Sequence, residues 1–146
     1  MKEEIIKIKS SVLKRIKDHA RKGYEKDKSE VIGYLIGKFK PYFIAIMDII
    51  IPNQKSTNTH AEIIDEISLI DYLEKNESTN RIQVGWYHSH PDLGCFLSTI
   101  DIPTQKYWQC VNIRMIALVI DPIRDIIKVF RLNEKNQVYE IPIKNI

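Results

Sequence analysis

Gly85-Trp86-Tyr87-His88-Ser89-His90-Pro91-Asp92-Leu93-Gly94-Cys95-Phe96-Leu97-Ser98-Thr99-Ile100-Asp101 is the stretch on which the reading of this chain turns. Side chains in an extended strand repeat with a period of two, so His88 and His90 point the same way. Asp101 stands 11 residues beyond the second histidine, far enough for the chain to fold back and add a carboxylate. Two neutral imidazoles and one carboxylate make a catalytic zinc set whose fourth tetrahedral position is left to water. The stretch therefore points to metal-assisted hydrolysis.

Outward from that stretch, Ile82 to Tyr87 reads as the strand that delivers the histidines. Upstream, Ile5 to Lys9 reads as a strand. A helix follows, capped by Ser10 or Ser11, carrying Val12, Leu13, Ile16 and Ala20 at helical spacing and ended by Gly23. Glu30 to Lys38 and Tyr42 to Ile51 read as a hairpin turning near Phe39-Lys40-Pro41, with Glu30 at the start of its first strand. Pro52 to Asn58 is a polar loop, and Ala61 to Lys75 a helix with Ile63, Ile64, Ile67, Ile70 and Leu73 on its apolar face. Downstream, a helix is expected from about Ile102 to Val111. The apolar run Met115 to Ile120 suits a buried central strand, and strands Ile126 to Leu132 and Val138 to Ile143 complete the chain. The pattern predicts an α/β (α+β) fold, a mixed sheet flanked by helices, in one domain spanning 1–146.

Composition narrows the classes of function. Hydrophobic residues at 44% and charged residues at 28% suit a water-soluble folded domain. No run reaches the roughly 18 apolar residues a membrane span needs, and Met1-Lys2-Glu3-Glu4 lacks a signal-peptide pattern, so no membrane association and a cytoplasmic location are expected. Cys95 and Cys110 are then expected as reduced thiols. The net charge of +3 is spread out, without the basic stripe and stacking aromatics of a nucleic-acid binder, so no nucleic-acid partner is expected.

Each candidate residue also has a plain structural reading. The histidines could be two polar residues at a strand end. Ser98-x-x-Asp101 ahead of a helix, with Pro103 just inside it, fits a capping box, which would turn Asp101 away from a metal. Cys95 is a rival third ligand, though a lone cysteine among Gly94, Phe96 and Leu97 more often packs as a small apolar group. A hydrolase also needs a base for the water's proton. Glu30, beside the apolar segment Val31 to Ile36, is one candidate; Asp48, Asp65 and Glu66 compete with it.

Taken together, the residues resemble the JAMM (MPN+) zinc metalloprotease family. Its pattern is a distant glutamate, then His-x-His-Pro, then a serine after seven residues counted from that proline, and an aspartate after two more. Glu30, His88, His90, Pro91, Ser98 and Asp101 match it without a change in spacing. Gly85 to Pro91 and Gly94 to Ser98 look especially like the proteasome-lid deubiquitinase and signalosome deneddylase members. The likeness continues through Thr104-Gln105, Ile120-Asp121-Pro122 and Phe130-Arg131-Leu132.

The resemblance implies an MPN-type, cytidine-deaminase-like fold with a largely antiparallel sheet. It implies one Zn2+ held by His88, His90 and Asp101, with Glu30 as general base and then acid, and Ser98 as oxyanion donor. The implied substrates are ubiquitin or ubiquitin-like modifier conjugates, and a proteasome-related assembly is an implied partner. Two alternatives stand beside this: a metalloprotease processing a sulfur-carrier or ubiquitin-like precursor, and a non-catalytic scaffold module. Trp86 and Tyr87 are expected to wall the metal pocket, the loop Pro52 to Glu62 and the Asp92-Leu93 segment to grip substrate, and His60 to be exposed.

Overall fold

The structure, a computed structural model, describes residues 4–145. Its elements are β1 (Ile5–Ile8), α1 (Ser10–Asp27), β2 (Ile32–Phe39), β3 (Phe43–Ile50), β4 (Gln54–Ser56), β5 (Ala61–Ile63), α2 (Ile67–Lys75), β6 (Ile82–Ser89), α3 (Asp101–Val111), β7 (Ile116–Asp121), β8 (Ile126–Leu132), β9 (Val138–Ile141) and β10 (Ile143–Asn145), with a 3-10 turn at Glu77–Thr79. Eight strands form one mixed, mostly antiparallel sheet in the order β10-β1-β3-β2-β6-β7-β8-β9, as the sequence predicts in kind. β1 pairs parallel to β3 and β10, and β6 parallel to β7; the other pairings are antiparallel.

The expected last strand is two strands, because Pro142 has no N–H for a ladder. β9 pairs with β8, while the Pro142 carbonyl accepts from the Ile6 N–H and β10 joins β1. Those two strands lie at opposite ends of the order, one residue apart in sequence. The sheet must therefore curl until its edges meet at Pro142.

Alternation along β6 divides the interior. Tyr87 belongs to the apolar cluster under α1, with Val12, Leu13, Ile16 and Ala20, the four positions that helical spacing picks out. Trp86 belongs to the cluster on the other face, with Tyr34, Leu97, Trp108 and Met115, beneath α3. Gly33 makes room for Tyr87: a Cβ there would strike its ring.

Four local expectations fail for identifiable reasons. Neither Ser10 nor Ser11 caps α1; Lys9 takes the cap position without a side-chain bond, and its carbonyl accepts from Val12 and Leu13. Gly23 does not end α1 but lies against Val31, where a Cβ would collide; the helix stops at Lys28, left-handed at φ 57°. Residues 54–63 form the β4–β5 hairpin, so no helix starts at Ala61. Finally, α2 begins at Ile67, and the expected apolar stripe is split: Ile64, Ile67 and Ile70 are exposed, Ile63 and Leu73 are half-buried against the core, and Leu69 is the buried residue of the helix.

Candidate metal centre

The site forms where β6 ends, between β2 and β7. The strand is covered on both flanks: from Gln83 to Ser89 every residue is buried, with Gln83 satisfied by the Gly85 carbonyl and the two remaining polar side chains, His88 and Ser89, at its end. Ile32 pairs with His88 on one side and Val119 on the other. The chain then turns and returns as α3, whose first residue is Asp101.

His88 Nε2 lies 2.9 Å from His90 Nε2 and 2.9 Å from Asp101 Oδ2, and His90 Nε2 lies 3.2 Å from the same oxygen. Zinc bonds of 2.0–2.1 Å at tetrahedral angles separate ligand atoms by roughly 3.3 Å, so the three atoms are spaced as three corners of a zinc tetrahedron. All three residues are buried, and together they could hold one metal ion. Both Nδ1 atoms are buried without a hydrogen-bond partner, which leaves the Nε2 atoms as the converging pair.

The electrostatics follow from burial around one shared carboxylate. Burial lowers the pKa of His88, against the pull of Asp101. At His90 burial also lowers it, but the Asp101 carboxylate wins and the pKa is raised. Burial alone would raise the pKa of Asp101; hydrogen bonds from His88 and His90 overcome it and hold the carboxyl below the usual range. Near neutral pH the group offers an ionised aspartate to any cation.

The capping box and the metal site are not rivals. The Ser98 N–H donates to Asp101 Oδ2 at 2.9 Å, and the Asp101 N–H donates to Ser98 Oγ at 3.1 Å. Oδ2 therefore closes the turn before α3 and faces both histidines at once. Pro103 sits in the first turn, where helix amides have no intrahelical partner. Trp86 stacks on the His88 ring, centroids 4.7 Å apart and planes 12° apart. Its indole N–H donates to Gln105 Oε1 at 2.8 Å, and the fully buried Gln105 donates in turn to the Met115 carbonyl.

Glu30 is buried beside this group but precedes β2 by two residues, rather than opening it as expected. Its N–H donates to the Thr57 carbonyl in the β4–β5 hairpin at 2.8 Å. The next residue is stitched to the histidine strand: Val31 N–H to Ser89 Oγ at 2.9 Å, and Ser89 N–H to the Val31 carbonyl at 3.0 Å. Burial pushes the Glu30 carboxyl up to about 7; the His90 charge opposes this and Asp101 adds to it.

The competing acids are elsewhere. Asp48 pairs with Arg15 and accepts from Tyr72; Asp65 bonds Asn53; Glu66 flanks α2. Cys95 also stays out of the group: its thiol faces the Val119 and Ile126 carbonyls, and burial pushes its pKa to about 11, so it packs as expected. Cys110 is exposed and unpaired.

A cleft of about 590 Å3 opens beside the site, floored by Ile32 and Tyr34 and walled by the β4–β5 hairpin, residues 64–66 and α3. Glu62, Asp65 and Glu66 make one side acidic. His60 lines it and is half-buried, 3.5 Å from Glu62, rather than simply exposed. The hairpin is tied to β2 by Gln54, whose side-chain amide bonds both the N–H and the carbonyl of Ile32 at 3.0 Å, as a strand would.

The sequence reading missed the roles of Ser89, Gln105 and Asp121. Gln105 had a usable signal, since its i+4 spacing from Asp101 puts the two on one helix face. Ser89 and Asp121 carried no such signal, being a strand serine and an Asp-Pro turn.

A fold of this kind, with two histidines and an aspartate at its strand and helix ends, defines a class, and the comparisons agree. The chain belongs to the JAB1/Mov34/MPN/PAD-1 ubiquitin protease family, whose profile matches residues 2–113. It is 35% identical over 127 residues to the Saccharomyces cerevisiae ubiquitin carboxyl-terminal hydrolase RPN11, covering 85% of this chain and 40% of that protein. It is 34% identical over 143 residues to the Drosophila melanogaster 26S proteasome non-ATPase regulatory subunit 14, covering 92% and 46%. The chain thus spans less than half the length of these relatives. The solution structure of protein DSY2949 from Desulfitobacterium hafniense superposes with a TM-score of 0.75 at 17% identity, over 97% of this chain and 93% of that one, which establishes the shared fold. Among the described residues, no helix is long and apolar enough to cross a membrane.

Proposed function

We propose that this protein is a zinc-dependent isopeptidase that removes ubiquitin or a ubiquitin-like modifier from conjugates. The observation that carries the reading is the convergence of His88, His90 and Asp101 in a buried group beside the buried acid Glu30. His88, His90 and Asp101 would hold the zinc, which when bound would supply Lewis acidity to lower the pKa of water toward neutrality and polarise the scissile carbonyl. Glu30 takes the proton of the attacking water on its carboxylate and returns it to the departing lysine amine, a task for which a pKa near 7 is suited. The Ser98 oxygen accepts from the Asp101 N–H, so its own hydrogen is free to donate to the developing oxyanion, a contact worth about 3 kcal/mol.

The cleft beside α3 and the β4–β5 hairpin accept the modifier's extended tail, with backbone hydrogen bonds along the hairpin. Relatives named as 26S proteasome regulatory subunits support a proteasome-related assembly as partner. The test is incubation of the zinc-loaded protein with a panel of ubiquitin and ubiquitin-like conjugates, with and without a chelator. Release of modifier that stops on chelation is the expected result. No cleavage of any conjugate by protein holding stoichiometric zinc would overturn the reading.

A further inference from the structure

Asp121, the last residue of β7, has a side chain closed to solvent. A buried carboxylate is costly unless several donors meet it, and four backbone N–H groups do. Oδ1 accepts from Ile123 and Arg124, both at 3.0 Å, and from Asp92 at 2.9 Å; Oδ2 accepts from Gly94 at 2.8 Å. The first two bonds form a turn of the kind aspartate makes at many strand ends. The other two reach the turn that follows His90, 29 and 27 residues away in sequence.

That turn needs holding. Asp92 and Gly94 are both left-handed, at φ 60° and 80°, a conformation that costs free energy for a residue with a side chain. It begins at His90, whose N–H is bound by the Ile120 carbonyl at 2.8 Å, next to Asp121 itself. It also carries Phe96, whose ring lies 4.8 Å from the His90 ring. A histidine that ligates through Nε2 needs an acceptor or a wall on its Nδ1 side to fix its orientation.

We propose that Asp121 is a positioning residue that, by clamping the N–H groups of Asp92 and Gly94, holds the His90 imidazole in its ligating orientation. The inference rests on the zinc reading above and deepens it.

Asp121→Asn tests it selectively. Asparagine keeps an oxygen for the three bonds at Oδ1 but sets an NH2 against the Gly94 N–H. The expected variant melts cooperatively without metal yet holds zinc about 10- to 100-fold more weakly in chelator competition, with altered visible absorption after cobalt substitution. Arg124→Ala, which removes its exposed contacts to Asp92 and its 3.6 Å ion pair with Asp121 Oδ2 but leaves all four backbone N–H donors on the carboxylate, keeps zinc affinity close to wild type. Equal zinc affinity in wild type and a folded Asp121→Asn overturns the clamp, as does an equal loss from Arg124→Ala. Hydrogen exchange on the unaltered protein gives a reading independent of any variant. The Asp92 and Gly94 amides are expected to exchange as slowly as β7, and free-loop rates overturn the clamp even where Asp121→Asn does not fold. Wild-type protein that takes up no zinc overturns the hydrolase reading first, and the clamp with it.

Discussion

The metal-group side of the site and the rim of the neighbouring cleft are built differently, and none of the three group members lines that cleft. On the side of the proposed ligands, His88 and His90 end a strand buried between two others, held by packed backbone, by the buried Trp86 and Asp101 and by the exposed ring of Phe96. On the rim side, β4 and β5 are three residues each, tied to the sheet through Gln54 and the Glu30–Thr57 bond, and α2 buries only Leu69. Under the proposed hydrolysis the chemistry needs fixed geometry, while a cleft that accepts a modifier tail needs a wall that can yield. Glu30 sits at the seam, its backbone bonded to the rim and its neighbour Val31 to the ligand strand.

The comparison breaks most severely through the ligands. His88→Ala or Asp101→Ala is expected to lose bound zinc and all hydrolysis, measured by metal analysis and conjugate cleavage, while Cys95→Ala keeps both. Stoichiometric zinc in Asp101→Ala with loss in Cys95→Ala would make the cysteine the third ligand.

At the seam, Glu30→Gln keeps zinc and lowers turnover by about 10^2- to 10^4-fold, the usual span for removing a general base. The same variant has a pH signature in the metal-free protein. The Glu30 carboxyl has a pKa of about 7 in the fold against 4.5 ordinarily, so the fold favours its protonated form. That stabilisation is full below about pH 4.5 and is lost as pH rises through about 7. Wild type should therefore lose melting temperature relative to Glu30→Gln across that window. Parallel melting curves from pH 4.5 to 8 would show that the acid is not desolvated as the structure places it.

Ser98→Ala sharpens the picture on the ligand side. It removes one oxyanion donor and one bond of the α3 cap, so turnover should fall by about 10^2- to 10^3-fold with zinc retained. An unchanged turnover would leave the serine a helix cap alone.

The ligand side was the legible one, for a physical reason. A period of two fixes which way His88 and His90 point, and the apolar runs around them admit only buried strands. Asp101, the third member of the group, was legible because its spacing leads into a helix start, although one oxygen serving the cap and facing both histidines was not foreseeable from spacing. The rim was illegible because its segments are short and weakly anchored. Isoleucines at 63, 64, 67 and 70 carry a helical period, yet periodicity says nothing of whether the stripe meets a core. Here the stripe's outer members meet solvent, and a three-residue strand ending at Ile63 takes the place of the first helical turn.

The smallest effects belong to that rim and test whether it is as loosely held as its contacts imply. Ile67 is 63% exposed and Leu69 only 7%, two positions apart on one helix. Because Leu69 is the buried residue of α2, with Tyr72 and Leu73 half-buried beside it, Leu69→Ala should cost about 2–5 kcal/mol, whereas Ile67→Ser should stay within about 0.5 kcal/mol of wild type in urea unfolding. Both variants should keep zinc, since neither residue belongs to the group of His88, His90 and Asp101. A large cost at Ile67 would mean that the isoleucine stripe is covered in solution, and the contrast between fixed wall and yielding wall would then have to be redrawn around a buried α2.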